Sequence, residues 1–271
     1  MKSKFVVAQM EQNGDPEINL ENARKAVAEA VEYYHADFIV FPECFMSLYP
    51  AGTPHETQLA SAQTLDGPFA TEMKKLAKDN HVWIAFGMNE KVDNPADPRN
   101  HNTTMIIDSE GEVKGVYRKT HLYDAFGYKE SDTICPGDKL FDPIDTPFGK
   151  IGLFVCYEVR FPEVARDQVL KGADIILMPT AWASGPLKSH QFKTLITARA
   201  IENTAYIVAA DQVGVNSMGE SIIVDPMGVA VASAGETPQL ICATIDTDRI
   251  KQVRAKLPSF KDRRPYLYLV K

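Results

Sequence analysis

Two stretches of this chain, "HADFIVFPE" (His35 to Glu43) and "GADIILMPT" (Gly172 to Thr180), share one plan: Ala-Asp, an apolar run, then Pro and a terminal residue. Each follows a segment of helical spacing, and that segment follows another apolar run. Before the first lie "KFVVAQM" (Lys4 to Met10) and "PEINLENARKAVAEAVEYYHA". In the latter, Ile18, Leu20, Ala23, Ala26, Val27, Ala30, Val31 and Tyr34 recur at helical intervals, and Pro16 opens the run well. Before the second lie "KIGLFVC" and "FPEVARDQVLKG", closed by Gly172. A strand, a helix and a strand in succession require parallel pairing. Two such units constrain the chain to an α/β fold, and their matching letters suggest an internal duplication.

The remaining segments fit this grammar. "GPFATEMKKLAKDN" reads as a helix, and "VWIAFGMNE", "TTMIID" and "VKGVYRK" as strands, the last two joined by a Ser-Glu-Gly hairpin turn. After the second unit come a helix from about Lys188 to Asn203 and the strand "AYIVAAD". The hairpin "SIIVDPMGVAVAS" turns at Asp-Pro-Met-Gly, and the strand "QLICATID" precedes a short helix ending near Leu257. No low-complexity linker divides the 271 residues, so one domain over 1–271 is expected. Two sheets packed face to face, with helices outside each, give a four-layer α-β-β-α sandwich. A single doubly wound sheet is the alternative.

A net charge of −7 argues against a nucleic-acid partner, whose footprint is basic. The locally basic end, Arg249 to Lys271, reads as a solvated helix and tail. "MKSKFVVAQMEQ" has no long apolar core of a signal peptide, and no apolar run spans a bilayer. A cytoplasmic protein without a membrane partner is therefore expected. Cys44, Cys135, Cys156 and Cys242 show no CxxC spacing, which speaks against a zinc site or a redox dithiol. In a reducing compartment they are free thiols, each either inert and buried or reactive.

In open α/β sheets, ligands bind beyond the carboxyl ends of the strands. The predicted strands end at Glu43, Lys119, Cys156 and Thr180. Singly, each has an ordinary explanation: a charged residue where the chain meets water, or a cysteine serving as a small buried hydrophobe. Together they supply a base, a cation for an oxyanion and a nucleophile. A Cys-His dyad with His121 is a further possibility, but it leaves Glu43 and Lys119 unexplained. HExxH, GxSxG, P-loop and GxGxxG patterns are absent.

Three motifs resemble the nitrilase superfamily, the carbon–nitrogen hydrolases: "FPE" (Phe41 to Glu43), "YRKTHL" (Tyr117 to Leu122) and "GLFVCYEVRFPE" (Gly152 to Glu163). They stand in the family's order, and the likeness runs to about Tyr266. The resemblance implies the α-β-β-α fold, a homodimer, no metal or organic cofactor, and a small-molecule amide substrate. It maps a catalytic triad to Glu43, Lys119 and Cys156, and an accessory glutamate to Glu130. The backbone N–H of Tyr157, after the nucleophile, becomes an oxyanion donor, and the intermediate is a thioester. "CYEVR" departs from the family in one letter, since many members carry Asp at Glu158. "KTHLYDAFGYKES", "AWASGPLKSHQFKTLITARAIEN" and "VRAKLPSFKDRRP" resemble the deaminated glutathione amidase branch. That branch cleaves an amide to 2-oxoglutarate and cysteinylglycine. ω-Amidase, N-carbamoyl hydrolase and nitrilase activities are the alternatives within the superfamily. A non-catalytic protein, or a redox sensor using Cys44 or Cys135, is the alternative outside it. Arg160, Trp182, Tyr123 and Tyr128 are candidate substrate contacts, with Lys188 in a bordering loop. Arg160 suits a carboxylate, as a guanidinium fork does, or else a structural ion pair. Trp182 either walls the pocket or packs in the core. Glu163 repeats the letters of "FPE" but falls in the first turn of a helix, a structural position.

Overall fold

The computed structural model describes residues 2–50, 52–94 and 96–268. The ends of the expected 1–271 span, including the last three residues of the basic tail, lie outside the described residues. The first half of the chain runs β1 (Lys2–Glu11), α1 (Pro16–Tyr34), β2 (Phe38–Val40), α2 (His55–Ser61), α3 (Pro68–Asp79), β3 (Trp83–Lys91), β4 (Asn100–Ile107) and β5 (Val113–Arg118). A small hairpin, β6 (Asp124–Ala125) and β7 (Tyr128–Lys129), follows. The second half runs β8 (Ile144–Thr146), β9 (Gly149–Leu153), α4 (Pro162–Leu170), β10 (Ile175–Pro179), α5 (Lys188–Asn203), β11 (Tyr206–Ala210), β12 (Gln212–Val213), β13 (Ile222–Val224), β14 (Ala230–Ser233), β15 (Gln239–Asp246) and α6 (Thr247–Lys256).

The two β-α-β units fall in different sheets. In the first sheet β1, β2 and β3 are parallel, and β4 and β5 continue antiparallel. In the second, β9, β10 and β11 are parallel, and β13 and β14 continue antiparallel. The same connection is thus used twice, as the matching stretches suggest. β15 closes the far edge of the first sheet against β1, in register from Lys2↔Asp246 to Gln9↔Gln239.

Alternation along β1 explains the layers. Phe5 and Val7 face inward and join a core with Ile151, Leu153, Ile175 and Leu177 of the second sheet. Val6 and Ala8 face outward, under Leu20, Ala23 and Val27 of α1 and Phe69 and Met73 of α3. A strand buried on both faces has no polar side, which is why these runs read as continuously apolar. α4 and α5 cover the second sheet through Val164, Val169, Phe192 and Ile196. The result is the four-layer α-β-β-α sandwich, and the single-sheet alternative is excluded.

The helices start where their sequences say. Asp15 caps α1 by accepting from the Glu17 N–H, with Pro16 in the first turn. Glu163 lies in the first turn of α4, as read from sequence. α2 and the short strands β6, β7, β8 and β12 carry too few periodic residues to be legible in the sequence.

Candidate active site

All four predicted strand ends need correction; Thr180 lies one residue beyond β10, which stops at Pro179. The β2 ladder stops at Val40, and Glu43 lies in a turn beyond it. β5 stops at Arg118, one residue before Lys119. β9 stops at Leu153, and Cys156 opens a one-turn 3-10 helix, Cys156–Arg160. The physical reason is common to all. The ladder, parallel at β2 and β9 and antiparallel at β5, ends where the chain must bend to bring side chains across the end of the sheet.

Each bend has a local cause. Beyond β2, the chain still hugs β3: the Phe41 N–H donates to the Ala85 carbonyl and the Gly87 N–H to the Pro42 carbonyl. A Cβ on Gly87 would stand 2.7 Å from the Pro42 oxygen and 2.8 Å from the Glu43 carbonyl carbon. Only glycine leaves room for the turn. At Cys156 the backbone is left-handed, φ 48°, a conformation that costs an L-residue roughly 1–2 kcal/mol. Glu158 holds this turn. Its Oε2 accepts from the Val155 N–H at 2.8 Å. Its Oε1 accepts from the Tyr117 hydroxyl (2.7 Å), the Thr120 N–H (3.1 Å) and the Thr120 hydroxyl (2.7 Å). One fully buried carboxylate therefore ties the cysteine turn to the segment that carries Lys119.

Glu43, Lys119 and Glu130 form a buried cluster. Lys119 Nζ donates to Glu43 Oε1 at 2.9 Å and to Glu130 Oε2 at 2.9 Å. Asn102 Nδ2, from β4, bridges the same two carboxylates at 2.7 and 3.2 Å. The Ala181 N–H donates to Glu43 Oε2 at 2.8 Å, and the Tyr123 N–H to Glu130 Oε2 at 2.6 Å. Burial alone would depress the Lys119 ammonium, but the carboxylates of Glu130 and Glu43 outweigh it and hold its pKa well above the usual lysine range. Lys119 is thus a cation at any working pH.

Cys156 lines the same cavity of about 520 Å³ as Glu43, Lys119 and Glu130. Burial pushes its thiol pKa up, and Glu43 adds to this; Lys119, the Thr180 hydroxyl and the Ala181 N–H act the other way. At rest Cys156 is a thiol, not a thiolate. Cys44 lines the cavity too, and burial, then Glu43, raise its pKa well above the ordinary value. That weighs against a reactive sensor thiol at Cys44. All four cysteines are free thiols, with Cys135 and Cys242 half-buried.

Tyr157, Arg160, Trp182, Tyr123 and Tyr128 all line the cavity. Tyr157 lies in the first turn of the 3-10 helix, where an N–H has no acceptor within the helix. Trp182 is buried, its main-chain N–H on Asp211 and its Nε1 on the Lys188 carbonyl. It both packs and walls the pocket. Arg160 stacks over the Trp182 ring at 4.9 Å and donates to Gln191 Oε1; among the described residues it pairs with no carboxylate, so its structural ion pair is absent. Tyr123 accepts from Lys188 Nζ at 2.9 Å, and Tyr128 is largely exposed at the mouth. His121 sits elsewhere: its ring stacks on Phe161 at 4.3 Å, and its Nδ1 faces Thr120 and Glu158. The structure brings no dyad with Cys156 to support it. The sequence reading missed Asn102, the Ala181 N–H and the role of Glu158. Asn102 could have been suspected as a polar residue at the head of an apolar strand. Backbone donors carry no sequence signal. Among the described residues, no group of three or more His, Cys, Asp or Glu is placed to hold a metal ion. No helix of the described residues is long and apolar enough to cross a membrane.

A thiol, a buried ammonium and two carboxylates are gathered in one cavity across the ends of two packed, mixed sheets, an arrangement able to perform nucleophilic hydrolysis. The carbon–nitrogen hydrolase family model matches residues 6–255. The chain is 36% identical over 250 residues to a deaminated glutathione amidase of Escherichia coli, covering 92% of each. Its fold superposes with a TM-score of 0.89 on a carbon–nitrogen hydrolase from Helicobacter pylori, 27% identical, covering 99% of this chain and 97% of that one. An amidase from Nesterenkonia sp. is similar with a TM-score of 0.79 at 25% identity, covering 98% of this chain and 95% of that one. That structure carries the acetamide moiety of fluoroacetamide on its active-site cysteine. The chain belongs to the carbon–nitrogen hydrolase family of the nitrilase superfamily, and is a hydrolase of carbon–nitrogen bonds other than peptide bonds.

Proposed function

We propose that the protein is a cysteine-dependent amidase that cleaves deaminated glutathione to 2-oxoglutarate and cysteinylglycine through a thioester. The observation that carries this reading is the meeting of Cys156 with the Glu43–Lys119–Glu130 cluster in one cavity. The substrate is taken from the named activity of the Escherichia coli relative. The covalent role of the cysteine is taken from the Nesterenkonia adduct.

Because Cys156 rests as a thiol, its proton leaves as attack occurs. Glu43 takes the proton while sulfur bonds to the amide carbon. Negative charge develops on the carbonyl oxygen, where the Lys119 ammonium and the Tyr157 N–H receive it. Collapse breaks the C–N bond, and Glu43 returns the proton to the leaving amine. The acyl group stays on sulfur. Glu43 then takes a proton from water, which attacks the thioester and frees the acid and the thiol. One carboxyl group acts as base, acid and base again. Glu130 keeps Lys119 charged and aimed. The same reading takes the enzyme as a cytoplasmic homodimer that needs neither metal nor organic cofactor.

The test is release of cysteinylglycine from deaminated glutathione, with mass spectrometry on wild-type protein rapidly quenched in acid during turnover. A 2-oxoglutaryl adduct on the Cys156 peptide is expected. Cys156→Ala protein should be inactive; substantial turnover by it would refute the nucleophile. If only 2-oxoglutaramate, N-carbamoyl compounds or nitriles are hydrolysed, the branch is wrong while the triad stands.

A further inference from the structure

Two cations in the cavity wall lack a carboxylate. Arg160 and Lys188 both line the cavity, and neither forms an ion pair with any carboxylate among the described residues. The Lys188 side chain is caged by aromatic faces. Its Nζ lies 3.9 Å from the Phe126 ring centre, 5.3 Å from Tyr123 and 5.9 Å from Trp182. The residue is only 8% exposed. Its sole hydrogen-bond acceptor among the described residues is the Tyr123 hydroxyl at 2.9 Å. An ammonium has three donors, so two remain for a ligand. A buried charge with no counter-ion is unfavourable, and ring faces offset only part of that. Such a site is complete only when an anion enters it.

The two cations reach the cavity from different elements, Arg160 from the 3-10 turn and Lys188 from the start of α5. Arg160 closes the same 3-10 turn that Cys156 opens, so it stands on the nucleophile's side. Lys188 lies beneath Phe126, which is 74% exposed at the tip of the β6–β7 hairpin, so it stands at the rim. Both approach the Trp182 ring, Arg160 to 4.9 Å and Lys188 to 5.9 Å. They are therefore no farther apart than the sum of those distances, a span one small molecule can bridge. When sulfur attacks an amide carbon, the acyl group stays beside the nucleophile and the amine departs toward the mouth.

Resting on the amidase reading above, we propose that Lys188 is a specificity residue that recognises a carboxylate on the leaving amine. Arg160 then faces the carboxylate of the acyl part. The favoured substrates are amides anionic at both ends, acyl amino acids or acyl peptides, over primary ω-amides that release only ammonia. Tyr123 positions the ammonium, and its own N–H is anchored on Glu130 Oε2, which links the rim to the triad cluster.

The experiment compares deaminated glutathione with its C-terminal carboxamide, which differs by one charge on the leaving side. In wild-type protein, kcat/KM should favour the acid by roughly ten- to a hundredfold, the range of one hydrogen bond to a charged group. Lys188→Met should bring the ratio of the two substrates to within about threefold, and Lys188→Arg should keep most of the preference. Lys188→Gln serves if the methionine variant does not fold. Calorimetric binding of both compounds to Cys156→Ala protein reads the same preference without turnover. Equal handling of both compounds by the wild type, or a preference retained in Lys188→Met, would overturn the assignment. Preferential binding of the acid without turnover by the wild type would sink the amidase reading alone. Turnover with no preference would sink the Lys188 assignment alone, and no binding of either compound would sink both.

Discussion

Glu158→Gln should weaken the fold and slow the enzyme together. The carboxylate is fully buried, with Oε2 facing the Val155 N–H and Oε1 facing the Tyr117 hydroxyl and the Thr120 N–H and hydroxyl. An amide cannot serve both sides. With its nitrogen toward Val155, one buried N–H loses its acceptor; turned over, it opposes the donors of Tyr117 and Thr120. The cheaper orientation still loses one charge-assisted hydrogen bond and weakens the others, about 2–4 kcal/mol in all. For a chain of this size that is a fall in Tm of roughly 5–15 °C. The same loss frees the Cys156 turn and the Lys119 segment to shift. A misplacement of about 1 Å can cost on the order of a hundredfold, so kcat should fall at least tenfold. The pH dependence has a definite sign. Burial would raise the Glu158 pKa, but hydrogen bonds from His121, Thr120, Tyr117 and the Val155 N–H outweigh it and hold the value below the ordinary glutamate range. A depressed pKa gives stability that is complete above the unfolded value of about 4.3 and is lost as pH falls through the folded one. The gap in unfolding free energy between wild type and variant should therefore narrow below about pH 4. Urea unfolding against pH, with kcat on the same preparations, measures both. A variant with the wild-type midpoint and wild-type kcat at pH 7 would show that this carboxylate ties nothing together.

Gly87→Ala should destabilise by about 1–3 kcal/mol, because its Cβ would meet backbone rather than a flexible side chain. Activity should fall with it, since the displaced turn carries Glu43; thermal melting and turnover of the variant decide. Iodoacetamide mapping should label half-buried Cys135 before either cavity thiol. Cys44 and Cys156, with raised thiol pKa values, should label slowly at neutral pH and faster as pH rises, and substrate should protect both. Rapid labelling of Cys44 ahead of Cys156 would revive the sensor reading.

Much of this molecule is determined by its sequence alone. Apolar runs between helical repeats bury both faces only where parallel strands are covered by helices; the choice between two sheets and a single doubly wound one was left to the tertiary structure. The residue types at the strand ends, Glu43, Lys119 and Cys156, mark where chemistry could sit. Glu130 was legible only through a family motif. What tertiary structure decided is how these residues meet. They come from four separate segments, and no local pattern encodes a separation of 76 residues closing to 2.9 Å between Glu43 and Lys119. Asn102, the Ala181 N–H and the Glu158 bridge depend on packing across elements and on backbone donors, which every residue type but proline supplies. The state of Cys156 is likewise tertiary. A cysteine after an apolar run has no fixed pKa in the sequence; it becomes a resting thiol because the fold buries it and sets Glu43 and Lys119 beside it with opposing effects.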